Sequence, residues 1–126
     1  MRTARRSPSL EKVVPVLRIA DFLLVPIQID LDDRTVGKLQ QQLMKEIERT
    51  RAKAIILDVR MVEVIDSYIS YTLSETAAMA RLMGCRTILC GIQPPVALTL
   101  AQMGIVLEEL TVARDLEHAL VRASSL

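Results

Sequence analysis

Apolar residues follow two rhythms along this chain. In Ala54-Ile55-Ile56-Leu57-Asp58-Val59 they are almost continuous, short and rich in β-branched side chains. That is the pattern of a strand covered on both faces. Farther on they recur every three or four positions, at Ile69, Leu73, Ala77 and Ala80, which predicts a helix ending at Gly84. An earlier helix carries Val36, Leu39, Leu43 and Ile47 on one face. Lys38, Gln41, Lys45, Glu46, Glu48 and Arg49 lie on its other face, and Asp32 and Asp33 stand ready as caps.

The remaining elements follow from punctuation. Two apolar runs, 14–19 and 22–27, flank Ala20-Asp21 and predict a hairpin, with Pro15 and Pro26 placing its strands at or near a sheet edge. Thr87-Ile88-Leu89-Cys90 is a second buried strand stopped by Gly91, and a short helix follows at 95–103, proline at its start and Gly104 past its end. A short strand near 110–112 leads to a last helix capped by Asp115, with Leu116, Ala119 and Leu120 inward. The order is β-β-α-β-α-β-α-β-α. It predicts an α/β fold with a mixed, mostly parallel sheet and helices packed against it.

Residues 87–107 carry no charge and match the length of a membrane span, but Gly91, Pro94, Pro95 and Gly104 interrupt them. No apolar signal segment follows Arg5-Arg6. The expectation is a cytoplasmic protein that does not enter a membrane. Residues 1–12 contain Arg2, Arg5, Arg6 and Lys12 among Ser7, Pro8 and Ser9 and are expected to be a flexible leader to a single domain, 13–126.

Composition narrows the chemistry. Phe22, Tyr68 and Tyr71 are the only aromatics, so the core must be aliphatic. A formal net charge of +1 gives no global attraction for nucleic acid. Cys85 and Cys90 fit neither a redox pair nor a zinc site, and on a strand they point to opposite faces. They are expected to be reduced, buried hydrophobes. There is no P-loop, no dinucleotide fingerprint and no serine in a nucleophile elbow. His118, the single histidine, is expected on the solvent side of the last helix, without a catalytic partner. Asp58, Glu63 and Asp66 gather around one loop but lack the alternate spacing of a cation site, so no metal or cofactor is expected.

That loop holds the candidate site. Asp66 and Ser67 lie where the chain leaves the carboxyl end of the central strand and enters a helix, the side of an open α/β sheet where function collects. An anonymous Asp-Ser at such a place is most simply a cap, with Ser67 at the cap or in the first turn. A hydroxyl there also faces free backbone N–H groups and the positive end of the helix dipole, which suit a phosphate. Two of the three aromatics, Tyr68 and Tyr71, follow at once. Ser67, Ser70, Tyr71 and Ser74 are expected to form an uncharged outer face suited to a partner.

Ile56-Leu57-Asp58-Val59, a short loop, and Val64-Ile65-Asp66-Ser67 together resemble the signature of STAS domains, the anti-sigma-factor antagonists. The likeness continues through Ala80-Arg81-Leu82-Met83-Gly84, Thr87-Ile88-Leu89-Cys90-Gly91-Ile92, Pro94 and Pro95, Leu98-Thr99-Leu100 and Met103-Gly104-Ile105, covering roughly residues 14–123. Within the family the chain is most similar to the RsbS type, the short scaffold of the bacterial stressosome. RsbR-type paralogues add an amino-terminal sensor, for which 126 residues leave no room, and usually have Thr where this chain has Ser67.

The resemblance implies a non-enzymatic scaffold. It implies that an RsbT-like serine kinase phosphorylates Ser67 and is thereby released, with Thr99 a weaker second acceptor. It implies a docking surface framed by Asp58, Glu63, Asp66, Tyr68 and Tyr71. Homo-oligomers, expected as dimers, and a large assembly with RsbR-like paralogues follow from it as well. Arg60 departs from the family, whose members more often carry a small hydroxyl residue there. A simple antagonist that binds an anti-sigma kinase directly is the alternative, and a small α/β enzyme a more distant one.

Overall fold

The computed structural model describes residues 14–104 and 110–126. In chain order the elements are β1 (Leu17–Ile19), β2 (Phe22–Pro26), α1 (Asp33–Thr50), β3 (Ala54–Asp58), α2 (Ser67–Leu82), β4 (Arg86–Cys90), α3 (Pro94–Gln102), β5 (Leu110–Ala113) and α4 (Leu116–Ser124). The strands form one sheet in sequence order, β1-β2-β3-β4-β5. Only β1 and β2 are antiparallel, and the other three pairings are parallel. The expected order and the central place of β3 both hold.

Pairing register explains the core. Leu23, Ile55 and Leu89 point to one face, where Val36, Leu39, Leu43 and Ile47 of α1, Ile69 and Leu73 of α2 and Val96 of α3 bury them. Leu24, Ile56, Ile88 and Ala113 point to the other, covered by Ala119 and Ala123 of α4 with Leu116 and Leu120. Strands with α-helices on both faces need apolar side chains at consecutive positions, which is why β3 reads as an unbroken run. Phe22, the one aromatic in the sheet, is only partly buried, so the core is aliphatic as expected.

Prolines and glycines do local work. Pro15 precedes β1, the edge strand, whereas Pro26 closes β2 one place inward. The ladder survives Pro26 because the next N–H, that of Ile27, donates to the Asp58 carbonyl at 3.0 Å. α2 stops at Leu82, and Gly84 turns the chain towards β4 with φ +84°. Aspartates cap three helices alike: Asp32, Asp66 and Asp115 accept the amides of Thr35, Ile69 and His118 at 2.7, 2.8 and 2.8 Å. α3 has no side-chain cap and starts on prolines instead.

Cys85 and Cys90 are both buried, in the cores on opposite faces of the sheet. The leader expected at residues 1–12 and Ile105 of the family-like stretch lie outside the described residues. No helix among the described residues is long and apolar enough to cross a membrane.

Candidate functional site

The loop from β3 to α2 is pinned by three apolar side chains. Val59, Val62 and Ile65 are buried in the core under α1 and α2, while Met61, Glu63, Val64 and Asp66 face outward. Its base is fixed by backbone bonds. Val59 N–H donates to the Cys90 carbonyl at 3.0 Å, Val62 N–H to the Val59 carbonyl at 2.9 Å, and Arg60 N–H to Asp58 Oδ1 at 3.1 Å. Asp58 therefore serves the turn and is half-buried.

This loop is clasped to the one after β4. Gln93 Nε2 donates to the Arg60 carbonyl at 2.6 Å. Gly91 has φ +74°, and a Cβ there would meet Arg60 Cβ at 3.0 Å. Only glycine satisfies both the left-handed backbone and the close approach. The two loops at the carboxyl end of the sheet thus form one platform, from which α2 and α3 both start.

Ser67 is the first residue of α2, and its side chain is exposed. Asp66 makes the cap alone, and among the described residues the Ser67 hydroxyl has no hydrogen-bond partner. Of the two simple roles open to Ser67, the first-turn position is therefore the real one, without capping. No acidic residue occupies the first turn of α2, so its free N–H groups are offset only by Asp66.

Apolar side chains are exposed on the same loop and helices. Tyr68 and Tyr71 are 51% and 62% exposed, Val64 72% and Met61 60%. Leu98 of α3 is exposed as well, at 58%. The expected outer face needs one correction. Ser70 is fully buried, and its Oγ donates to the Asp66 carbonyl at 2.9 Å, so that hydroxyl is satisfied inside the helix and not offered to a partner. Ser74 is half-buried, and Tyr71 keeps the outward position. Thr72 and Thr76 bond back in the same way, at 2.9 and 2.7 Å, and Gln40 of α1 donates to Thr76 Oγ1 at 2.9 Å, locking α2 against α1.

The other site candidates separate. Glu63 is exposed on the pinned loop. Thr99 lies on α3, half-buried, with its Oγ1 bonded to the Pro95 carbonyl at 3.2 Å. Among the described residues no group of acidic, histidine or cysteine side chains has the arrangement of a metal site. Desolvation pushes the Cys85 thiol up to about 12 and that of Cys90 to about 11, Asp58 and Asp115 adding to the latter. Neither is poised as a nucleophile. Sequence reasoning passed over Met61 and Leu98 as surface, because the loop that holds Met61 has no periodicity from which exposure can be read and α3, which holds Leu98, is short and apolar on most sides.

A five-stranded sheet of this order with four helices has a family counterpart. The model of the STAS domain matches residues 14–119. The chain belongs to the STAS family. Among solved STAS structures, a Ser-to-Glu variant of RsbS from Moorella thermoacetica is 31% identical, with a TM-score of 0.80 over 90% of this chain and 97% of that one. A chain from the molecular architecture of the stressosome, described as a signal integration and transduction hub, is 27% identical, with a TM-score of 0.72 over 88% of this chain and 96% of that one. The RsbT co-antagonist protein RsbRB of Bacillus subtilis is 26% identical over 118 residues, which cover 93% of this chain and 43% of that protein. The chain thus spans less than half the length of the co-antagonists it resembles.

Proposed function

We propose that this STAS protein is a non-enzymatic, phosphorylation-controlled scaffold of a bacterial stress-signalling assembly. In this reading it holds an RsbT-like serine kinase and releases it once Ser67 carries phosphate. RsbR-like STAS paralogues are its partners in the assembly. The observation that carries the reading is the state of Ser67: exposed, first in its helix, and uncommitted, because Asp66 caps instead. The likeness to RsbS and to the RsbT co-antagonists supports the choice of partners.

The mechanism follows from charge and desolvation. Phosphate adds about −1.5 to −2 charge and three acceptor oxygens. The N-terminus of α2 tolerates such an anion, so the fold survives modification. A partner seated on Tyr68, Tyr71 and Val64 does not, because it would have to desolvate a dianion flanked by Asp66 and Glu63. A penalty of a few kcal/mol lowers affinity a hundredfold or more.

The test is the affinity of an RsbT-like kinase for the unmodified, Ser67→Ala and phosphorylated chains. Unmodified and Ser67→Ala chains should bind alike and the phosphorylated one at least a hundredfold more weakly. Equal binding of all three, or phosphate found at another residue, overturns the proposal. Size-exclusion with an RsbR-like partner separates the scaffold, which forms a particle, from a simple antagonist, which does not.

A further inference from the structure

The α4 side of the sheet holds a second constellation. Arg86 opens β4, Thr111 lies in β5, and His118 and Arg122 lie one turn apart on α4. Together with Val121, Ser125 and Leu126 they line a cleft of about 350 Å³. A neighbouring hollow of about 360 Å³ shares His118 and Arg122 and adds Arg114 above Ile92, Val112 and Ala113. Among the described residues no acidic side chain lines either one.

The donors are uncommitted. Among the described residues, no ion pair engages Arg86 or Arg122 and no hydrogen bond engages Thr111 Oγ1. His118 is half-buried and lines both hollows. Its Nδ1 accepts the Arg114 N–H at 3.0 Å, which fixes the ring and leaves the proton on Nε2 as a donor. Asp115 is engaged by the His118 amide as the α4 cap. In a chain of net charge +1, two unpaired guanidiniums, an oriented imidazole and a free hydroxyl thus face one cleft.

We propose that this cleft binds a small organic phosphate. Donors from β4, β5 and α4 approach from different directions, which suits a tetrahedral oxyanion with several acceptor oxygens, and guanidinium groups match phosphate in paired hydrogen bonds. Val121, 61% exposed, and Leu126, 48% exposed, give the organic part an apolar wall. The volume falls in the range of small-molecule sites. The cleft is lined by residues of β4, β5, α4 and the chain after it, none of them part of the Ser67 platform, and the inference is independent of the kinase reading.

The test is a nuclear magnetic resonance titration of the isotope-labelled full chain. Inorganic phosphate and phenyl phosphate are the probes, with sodium chloride at matched ionic strength as control. Both phosphates should shift the amides of Thr111, His118 and Arg122 saturably, and phenyl phosphate should saturate at lower concentration because its ring covers Val121 and Leu126. Arg86→Ala and Arg122→Ala should each weaken binding roughly tenfold, a lost charge-assisted contact. Lys45→Ala, on the exposed side of α1, should leave it unchanged. Equal shifts from chloride, no saturation, or wild-type titration of both arginine variants overturns the proposal.

Discussion

The Asp66 carboxylate accepts the Ile69 amide at 2.8 Å, and this one bond frees Ser67 from structural duty. Stability and the proposed switch therefore reside in adjacent residues. Asp66→Ala should cost about 1 kcal/mol, the usual value of a lost helix cap, whereas Ser67→Ala should change stability by a few tenths at most. Chemical denaturation of the two variants measures the difference. Equal losses would mean that Ser67 shares the cap.

The clasp between the two loops rests on Gly91. A side chain there meets Arg60 Cβ at 3.0 Å while the backbone holds φ +74°. Gly91→Ala should destabilise by about 1–3 kcal/mol and disturb the platform under Ser67. Thermal melting reads the first effect. Amide shifts at residues 59–66 read the second, and an unchanged spectrum would show that the loops are not coupled.

Arg51 ends α1 with φ +56°, and its N–H donates to the Ile47 carbonyl at 2.7 Å. A residue with Cβ is strained in that left-handed position, and its side chain is exposed. Arg51→Gly should therefore stabilise by about 0.5–1 kcal/mol, net of the greater freedom of an unfolded glycine. A lower melting temperature would contradict this.

The thiols make stability depend on alkali. Burial raises Cys85 to about 12 and Cys90 to about 11, against an ordinary value of 9.0. The folded state favours the neutral thiols, so their contribution is full below pH 9 and is lost as pH rises from there towards 11–12, where only the unfolded chain ionises freely. Denaturation midpoints should fall above pH 9 in the wild type and fall less in Cys85→Ala, judged relative to its own value at pH 7. Thiol reagents should label both cysteines in denaturant and neither promptly in the native state. Prompt native labelling would place a thiol at the surface.

What the sequence determined by itself was whatever depends on local rhythm. Unbroken β-branched runs require strands covered twice, three- and four-residue spacing requires helices with one buried face, and Asp32, Asp66 and Asp115 announce where helices begin. These patterns dictated the order of elements, and with it a mostly parallel sheet whose central strand delivers the chain to Ser67. Tertiary structure decided which polar groups stay in water. Ser70 and Tyr71 are neighbours in sequence, yet Ser70 is buried, its hydroxyl satisfied by the Asp66 carbonyl, and Tyr71 remains exposed. Val62 and Val64 are the same residue type in one loop, but only Val62 reaches the core. Arg86, Thr111, His118 and Arg122 come from three elements and meet only once β5 and α4 are in place. Periodicity carries information within an element. Loops have no period, and convergence between elements is set by long-range packing, so both had to await the fold.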